Sequence, residues 1–448
     1  MATSPPTPPT NNLATLAAGL ARRAPPGPLW LAFSGGLDST VLLHLLVEAG
    51  LGERLGVLHV DHGLQADSAA WAAHCVRHAA GLGLTCRVAN VTVSGNGGLE
   101  ANARTARYQA LCRHAGGATL ITAHHLNDQA ETLLLRLLRG AGVGGLAAIG
   151  EHGRWHGTPL WRPLLTVPRA TLHGLAEQYG WDWIEDPSNR HNDLRRNHLR
   201  NDILPRLQQQ WPGAVATLAR AAGHQAEAAA LLAERATEDL AALGGAARHL
   251  PLAPLKALSP ARRGNVLRHW LAGAGAVTSE AQLNQIEALL DAAADRAARV
   301  EWGDWQLRRF AGALHLLSGA QCVALTGEWH WHPSQGGLDL GPWRLCDGVT
   351  PENDRVPVWL AADSAPLRLA PACGGERLLR QGCHQRVSEL WRAAGVPPWR
   401  RRQWPLIYQD GELVSVPGVG VADGWRQRSL RLWHLCWRGA ASSQGADV

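Results

Sequence analysis

The apolar residues in the first half of the chain follow two alternating spacings. Short continuous apolar runs, which indicate buried strands, are separated by stretches whose apolar residues recur every three or four positions, as they do in helices. Strands are expected within 28–33, 54–63, 84–93 and 118–125, and helices within 34–50, 68–83, 99–114 and 127–142. This alternation predicts an α/β fold with a doubly wound parallel sheet and helices on both faces.

The second half of the chain changes character near residue 213. Alanine-rich helical periodicity comes first, a mixed stretch follows, and short strand-like runs rich in arginine and tryptophan come last. We therefore expect a disordered leader (1–25), the α/β domain (26–212), a helical and mixed middle domain (213–320), a linker or short strands (321–361) and a small α+β C-terminal domain (362–440).

The charge of the chain is basic but modest. The net charge is +6, and Lys256 is the only lysine among 43 cationic residues. A basic surface favours polyanion partners such as nucleic acid. The alternative is that an excess this small, spread over 448 residues, is ordinary surface charge.

Cysteine usage and hydropathy indicate where the protein works. The eight cysteines form no C-x-x-C pair, so neither a zinc site nor a dithiol site is predicted. No apolar run approaches the roughly 18 residues of a membrane span, and the N-terminus does not resemble a signal peptide. We expect a cytoplasmic protein without a membrane anchor.

The sequence LAFSGGLDSTVLLHLL carries the strongest chemical signal. A buried strand leads through two glycines into a leucine-rich helix, so backbone N–H groups at the helix start can bind phosphate. The predicted nucleotide loop consists of Ser34, Gly35, Gly36, Leu37, Asp38 and Ser39. Since Asp38 would repel phosphate directly, we expect it to hold Mg²⁺ against phosphate oxygens. The alternative is a plain glycine turn capped by Ser34 and Asp38.

The loop resembles the pyrophosphate loop (PP-loop) of ATP pyrophosphatases, and it lacks the lysine of a Walker loop. Further segments are similar, in order, to the lysidine synthase family over roughly the first 210 residues, and GVPPW…WPLI…GVGV resembles the family's last domain. The N-terminal segments are HVDHGL, GLEANARTARYQAL, TAHHLNDQAET, RGAGVGGL, RPLL, WIEDPSNR and RRNHLR. The resemblance implies an ATP-binding PP-loop domain followed by two tRNA-binding domains.

The resemblance also implies catalytic positions in this chain. Asp128 is expected as a second Mg²⁺ ligand, because the family usually has two adjacent acids here and this chain has Asn127. It also has Asp61 where the family often has histidine. Arg104 and Arg107, one helical turn apart, are expected to stabilise charge on the transferring group. The alternatives are a helix cap for Asp128 and a solvated helix face for the arginines.

Two further sets of residues are expected to bind the other substrates. Glu185, with Arg196 and Arg200 of the RNxxR pattern, is expected to bind free L-lysine, unless the acids of WIEDPSN, followed by Asn189, are only turn residues. Arg400, Arg401 and Arg402 are expected to bind tRNA phosphates. Their alternative is a solvated run beside tryptophans of a small core.

The reaction implied by the resemblance uses ATP, L-lysine and an isoleucine tRNA with a CAU anticodon. ATP adenylates O2 of the wobble cytidine, and the lysine ε-amine then attacks C2 and expels AMP. The other readings are a different PP-loop enzyme, such as a tRNA thiolase, an amidotransferase or an asparagine synthetase, and a non-catalytic RNA-binding protein. The sequence does not decide between a monomer and a homodimer.

Overall fold

The computed structural model describes residues 12–63, 67–93, 99–187, 195–291, 298–347, 355–361 and 365–437. The chain divides into two compact units, Met1–Leu231 and Leu232–Val448. None of the helices in these described stretches combines the length and the apolar character that crossing a bilayer requires.

The first unit is built on one six-stranded sheet with the order β3-β2-β1-β4-β6-β5. The strands are β1 (Leu29–Ala32), β2 (Leu55–Asp61), β3 (Cys86–Asn90), β4 (Thr119–Ile121), β5 (His152–Trp155) and β6 (Thr158–Trp161). Every neighbouring pair is parallel except β5 and β6, which form a hairpin at the edge. The predicted doubly wound parallel sheet is confirmed, and the antiparallel edge strand is an addition to it.

Helices cover both faces of this sheet. They are α1 (Leu13–Arg23), α2 (Leu37–Glu48), α3 (Ser68–Gly81), α4 (Leu99–Ala115), α5 (Leu126–Leu137), α6 (Val143–Leu146), α7 (Arg169–Tyr179), α8 (Arg195–His198) and α9 (Leu204–Gln210), with a π-helical turn at Leu199–Ile203. The disordered leader predicted for 1–25 is wrong where α1 lies. Asn12 caps that helix, and Ala17 and Leu20 are buried in the core of the unit.

The central helix α2 is apolar on nearly all sides because it is surrounded. Val41, Leu42, Leu43, Leu45 and Leu46 are all fully buried. Its N-terminus follows directly from the carboxyl end of β1, where doubly wound folds bind ligands. A helix held this rigidly fixes the position of the loop that precedes it.

The long helix α10 (Ala214–Leu243) leads into the part of the second unit that we call the middle module, residues 249–318. The module contains β7 (His249–Pro251), α11 (Leu252–Ala257), α12 (Pro260–Gly273), α13 (Glu280–Asp291), β8 (Arg299–Trp302), β9 (Trp305–Phe310) and β10 (Ala313–Ser318). The strands form an antiparallel sheet in the order β7-β10-β9-β8. The helices bury leucine and isoleucine side chains, such as Leu267 and Ile286, in one core with this sheet.

Residues 329–437 form the C-terminal module. Its strands are β11 (Trp329–Trp331), β12 (Leu338–Leu340), β13 (Trp343–Asp347), β14 (Arg355–Ala361), β15 (Leu367–Pro371), β16 (Arg377–Arg380), β17 (Cys383–Arg386), β18 (Pro405–Gln409), β19 (Glu412–Val416), β20 (Gly420–Val421) and β21 (Leu430–Trp437). Its short helices are α14 (Val387–Ala393), α15 (Pro398–Arg401) and α16 (Asp423–Arg426). Two larger sheets, β11-β15-β18-β19-β20 and β12-β13-β21-β14, share one core, and β16 pairs with β17.

The expected linker at 321–361 belongs to this module instead. Its strands β13 and β14 flank β21, and Trp343 is buried to 1% exposure in the shared core. The strand-like alternative is therefore correct for this segment, and the division between linker and C-terminal domain is wrong. These strands complete a sheet that the last strand of the module cannot form alone.

Candidate active site

The loop between β1 and α2 has a backbone that only glycine accommodates well. Gly35 has φ of +78°. A Cβ atom at this position would lie 2.6 Å from Ile184 Cδ1 and 2.8 Å from Cys75 Sγ. Gly36 is the N-cap of α2 and provides no side-chain cap, so the first N–H groups of the helix keep their capacity to bind an anion.

The hydroxyl groups of the loop divide into two kinds. Ser39 and Thr40 are buried and donate to the carbonyls of Gly36 and Gly35 at 3.0 and 3.3 Å, so they shape the loop. Ser34 is exposed, and its Oγ lies 3.0 Å from Ser39 Oγ. Leu37 packs into the core and can offer only its backbone to a ligand.

Asp38 lies in the first turn of α2 with its side chain 29% exposed. Its Oδ2 is 3.5 Å from His125 Nε2, and its Oδ1 is 3.7 Å from Arg169 Nε. Oδ1 is a buried oxygen that accepts no hydrogen bond from the described residues. A buried carboxylate oxygen without a donor fits a Mg²⁺ ion, which prefers oxygen ligands. Within the described stretches no three His, Cys, Asp or Glu side chains form a ready metal cage.

Asp128 does not fit the role of second metal ligand that the sequence predicted. Its Oδ1 accepts from Arg196 at 2.8 Å and from Arg200 at 3.1 Å, and its Oδ2 accepts the His125 N–H at 2.9 Å. Both oxygens thus already accept hydrogen bonds, whereas Asp38 Oδ1 accepts none from the described residues. Burial alone would raise the pKa of Asp128, but His125 and Arg196 outweigh it and hold the pKa below its ordinary value.

Asp128 is part of what we call the carboxylate–arginine cluster: Asp128, Glu131, Arg196 and Arg200. Glu131 is fully buried and accepts from Arg196 Nε and Arg200 Nε, both at 2.7 Å. The acids lie on the first turns of α5, while the arginines come from α8 and the π-helical turn. The sequence expectation placed the two arginines on a lysine carboxylate; here they are paired with protein carboxylates.

Two histidines precede α5, and His125 lies 3.5 Å from Asp38 and 3.4 Å from Asp128. His125 is the N-cap of α5 and forms a capping box with Asp128. Burial lowers the pKa of His124 to about 4, and Arg162 adds to this shift while Asp128 opposes it. His124 is therefore neutral at physiological pH.

The segment that contains Glu185 lies directly on the nucleotide loop. Ile184 donates its N–H to the Gly35 carbonyl at 2.9 Å, and the exposed side chain of Glu185 follows. The sequence predicted a lysine-binding role for Glu185 of WIEDPSN but not this contact, because the contact joins positions about 150 residues apart in the chain. Asn189 lies outside the described residues.

Comparison with known proteins agrees with this geometry. The family model of the PP-loop domain matches residues 10–207, the TilS substrate binding domain matches 250–315 and the TilS substrate C-terminal domain matches 367–437. The tRNA(Ile)-lysidine synthase of Pseudomonas aeruginosa is 40% identical over 93% of this chain and 94% of its own length. The chain belongs to the tRNA(Ile)-lysidine synthase family.

Other relatives extend the comparison. The tRNA(Ile)-lysidine synthase of Alkalilimnicola ehrlichii is 40% identical over 92% of this chain and 94% of its own, and that of Pseudomonas putida is 41% identical over 88% and 94%. Among solved structures, a U34-tRNA thiolase from Methanococcus maripaludis aligns with 48% of this chain and 78% of its own at 18% identity and a TM-score of 0.40.

Two departures of this chain from the lysidine synthase family pattern have local structural roles. Asn127 Oδ1 accepts the Arg169 N–H at 3.1 Å and so ties α5 to the start of α7. Asp61 Oδ1 accepts the Gly63 N–H at 2.8 Å, which closes the turn after β2. Neither departure removes a partner from the carboxylate–arginine cluster.

The arginines expected from the lysidine synthase resemblance lie on α4. The guanidinium groups of Arg104 and Arg107 lie 5.1 and 6.0 Å from the Tyr108 ring. Burial lowers the pKa of Arg162, and the charge of Arg104 lowers it further while Tyr108 opposes the shift. Sequence reasoning missed Arg162, although its place just after the parallel strand β6 was the available signal.

The three C-terminal arginines of this lysidine synthase family member do not form one exposed patch. Arg400 lies over the Trp343 ring at 5.1 Å, and Arg401 Nε donates to the Val396 carbonyl at 2.9 Å. Only Arg402 is exposed. The alternative of tryptophans in a small core is correct for Trp404, which is 6% exposed and belongs to the apolar cluster of the C-terminal module, whereas Trp399, 8% exposed, is buried outside that cluster.

Proposed function

We propose that this chain joins L-lysine to C2 of the wobble cytidine of an isoleucine tRNA with a CAU anticodon. The cytidine O2 attacks the α-phosphorus of ATP and pyrophosphate leaves. The lysine ε-amine then attacks C2, the C2–O2 bond breaks and AMP leaves with the oxygen. The observation that carries the proposal is the loop between β1 and α2, in a chain that carries all three domains of the family.

The nucleotide site of this proposal is the loop Ser34 to Ser39. The N–H groups at the start of α2 bind phosphate, and Asp38 would hold a Mg²⁺ ion with its unsatisfied Oδ1. Bound there, Mg²⁺ would neutralise charge on the departing pyrophosphate. Since the Asp128 oxygens are already engaged, Asp38 is the only one of the two predicted ligands that we retain.

The lysine site, in our proposal, is the carboxylate–arginine cluster together with Glu185. Free lysine carries two ammonium groups and one carboxylate, and the cluster offers two buried carboxylates and two guanidiniums. Lysine can bind by exchanging partners with Arg196 and Arg200, which keeps every buried charge paired. Because His124 is neutral, it does not repel an incoming ammonium group.

Arg104 and Arg107 are proposed to face the transferring nucleotide. They lie on α4, and the charge of Arg104 lowers the pKa of both His124 and Arg162. In our proposal the guanidiniums of Arg104, Arg107 and Arg162 supply positive charge beside the nucleotide. Positive charge placed in advance stabilises an anionic transition state without reorganisation of the site.

We propose that the tRNA-binding surface of the C-terminal module includes β16 and β17 besides the predicted arginines. Arg377 and Arg386 are exposed and stand directly opposite each other across this hairpin. Like charges in that position destabilise a strand pair, and in the described parts of the chain neither has a carboxylate within salt-bridge distance. A phosphate backbone is the partner that makes this pair favourable.

The decisive experiment is mass spectrometry of tRNA nucleosides after incubation of the protein with ATP, Mg²⁺, lysine and isoleucine tRNA. We expect lysidine with the wild type and none with Asp38→Asn, which removes the charge but keeps the shape of the side chain. Arg169→Gln is the matched control. It removes the positive charge beside Asp38 Oδ1 but leaves Asp38 itself in place, so it should retain activity. Full lysidine formation by Asp38→Asn would refute the assigned nucleotide site.

A further inference from the structure

One tryptophan of the C-terminal module is buried outside the core of that module. Trp399 on α15 is 8% exposed, yet it does not belong to the apolar cluster that holds the two large sheets together. Its ring contacts lie on the middle module instead. The Phe310 ring meets it edge to face at a centroid distance of 5.6 Å, and the His315 ring lies 5.3 Å away.

Arg308 makes a third contact with the Trp399 ring. We call the three residues around this ring, Arg308, Phe310 and His315, the socket. The Arg308 guanidinium lies 5.6 Å from the Trp399 ring. All three socket residues belong to β9 and β10, adjacent strands of the middle sheet. The ring of Trp399 is therefore buried by two aromatic rings and a cation from another module.

The segment around α15 makes further contacts on both sides of Trp399. Leu325 donates its N–H to the Arg402 carbonyl at 2.9 Å, and the buried Gln403 side chain donates to the Gln321 carbonyl. Arg400 lies over Trp343 of β13. The α15 segment thus bonds to the chain that leaves the middle module and to the sheet of the C-terminal module.

We propose that Trp399 is a positioning residue that holds the middle and C-terminal modules at a fixed spacing on one tRNA. The inference rests on the proposed function, because it concerns how the whole tRNA is bound. Two modules joined rigidly lose less entropy on binding one ligand than two modules that move independently. The spacing therefore affects binding of the tRNA body and leaves the chemistry at the anticodon unchanged.

The spacing is measured without any substrate. Nitroxide labels on a genetically encoded keto amino acid at positions 277 and 379, both exposed in the wild type, report the distance between the modules by pulsed electron paramagnetic resonance. We expect one narrow distance distribution for the wild type and Trp399→Phe, since phenylalanine keeps a ring in the socket. We expect a broad distribution for Trp399→Ala.

The functional effect is measured with unlabelled full-length chains. Trp399→Ala should raise the KM for full-length tRNA about tenfold, because two modules that move independently must be ordered when the tRNA binds, whereas modules at a fixed spacing are already ordered. The KM for ATP, and kcat/KM for an anticodon stem–loop, should be unchanged. Trp359→Ala, which removes a 39% exposed tryptophan away from the socket, is the matched control and should behave as the wild type.

Phe310→Ala tests the same contact from the other module, should Trp399→Ala fail to fold. It should broaden the distance distribution equally, and the double variant should add little to either single one. A narrow distribution in both single variants overturns the proposal, as does a broad one with an unchanged KM for full-length tRNA. Absence of lysidine with the wild type on any substrate would contradict the proposed function instead, and the distance measurement would still stand.

Discussion

At the scale of single residues, the nucleotide loop depends on one glycine. Gly35 combines a left-handed backbone with close contacts to Ile184 and Cys75. The sequence pattern predicted the two glycines of the loop as a way for backbone to approach an anion. It did not predict that Gly35 is also the point where the 184–186 segment packs on the loop.

Gly35→Ala should therefore lower both stability and nucleotide binding. The left-handed conformation alone costs a non-glycine residue on the order of 1–3 kcal/mol. The side-chain clashes would move the loop, so ATP affinity measured by calorimetry should fall. Gly174→Ala is the control, because Gly174 lies on α7 with open space around it and alanine there should stabilise the helix by roughly 0.5–1 kcal/mol. Equal urea midpoints for the two variants would contradict this account.

His44 gives the first unit a dependence on pH. Its ring is stacked on Trp181 at a centroid distance of 3.9 Å, and burial together with His78 lowers its pKa to about 4. An unfolded histidine titrates near pH 6.5, so the unfolded state binds more protons between these values. The folded state is therefore favoured fully above pH 6.5 with respect to His44, and it loses this stability as the pH falls toward 4.

As the pH falls from 6.5 to 4.5, His44 becomes protonated in the unfolded state first. We expect this to lower the free energy of unfolding by on the order of 2 kcal/mol. His44→Phe keeps the stacked ring on Trp181 but cannot be protonated. Urea unfolding at several pH values should therefore show a shallower loss of stability for this variant. An identical pH dependence in both proteins would mean that other groups account for the loss.

At the scale of elements, the active site depends on how α5 meets α8 and the π-helical turn. Arg196 and Arg200 are four residues apart, and both reach Asp128 and Glu131. Turns of π-helix are rare in proteins, but those that occur are often found at functional sites. The sequence predicted functional roles for Asp128, Arg196 and Arg200 but not for Glu131, and no periodicity revealed that the acids and the arginines pair with each other.

Asp128→Asn separates a lysine-binding role from a metal-binding role. Loss of a charged hydrogen-bond partner is worth about 1.5–3 kcal/mol, which raises the lysine KM by roughly 10- to 150-fold. Asn127→Asp is the adjacent control, since an aspartate there still accepts the Arg169 N–H. If Asp128→Asn changed the Mg²⁺ requirement and left the lysine KM alone, Asp128 would be a metal ligand after all.

The elements that the sequence prediction missed or left open have different physical causes. The helix α1 follows a proline-rich start that favours disorder, although the Asn12 cap and the helical spacing of Leu16, Ala17 and Leu20 were local signals for it. The hairpin of β5 and β6 is short, and its edge strand is exposed, so it lacks a continuous apolar run. Short strands were one of the two alternatives for 321–361, but local pattern could not decide for them, because β11, β13 and β14 pair with β15 and β21 from much later in the chain.

At the scale of the whole molecule, binding of tRNA should depend on salt through the exposed arginines. Each phosphate that a protein neutralises contributes a log–log slope of roughly −0.7 to −0.9. Replacing Arg377, Arg386 and Arg402 by alanine should weaken tRNA binding and flatten this slope. Arg262→Ala is the control because Arg262 is paired with Asp239. Unchanged slope and affinity in the triple variant would show that the tRNA is held elsewhere.

The single lysine has a consequence for regulation. Lys256 is paired with Asp291 in the middle module, and every other positive side chain, apart from protonated histidines, is an arginine. Arginine stays charged at every pH that a cell reaches, whereas acetylation of a lysine removes its charge. Enzymes that acetylate lysine side chains therefore have one target in this protein. Acetylation of lysine therefore cannot neutralise the arginines that give this chain its positive charge.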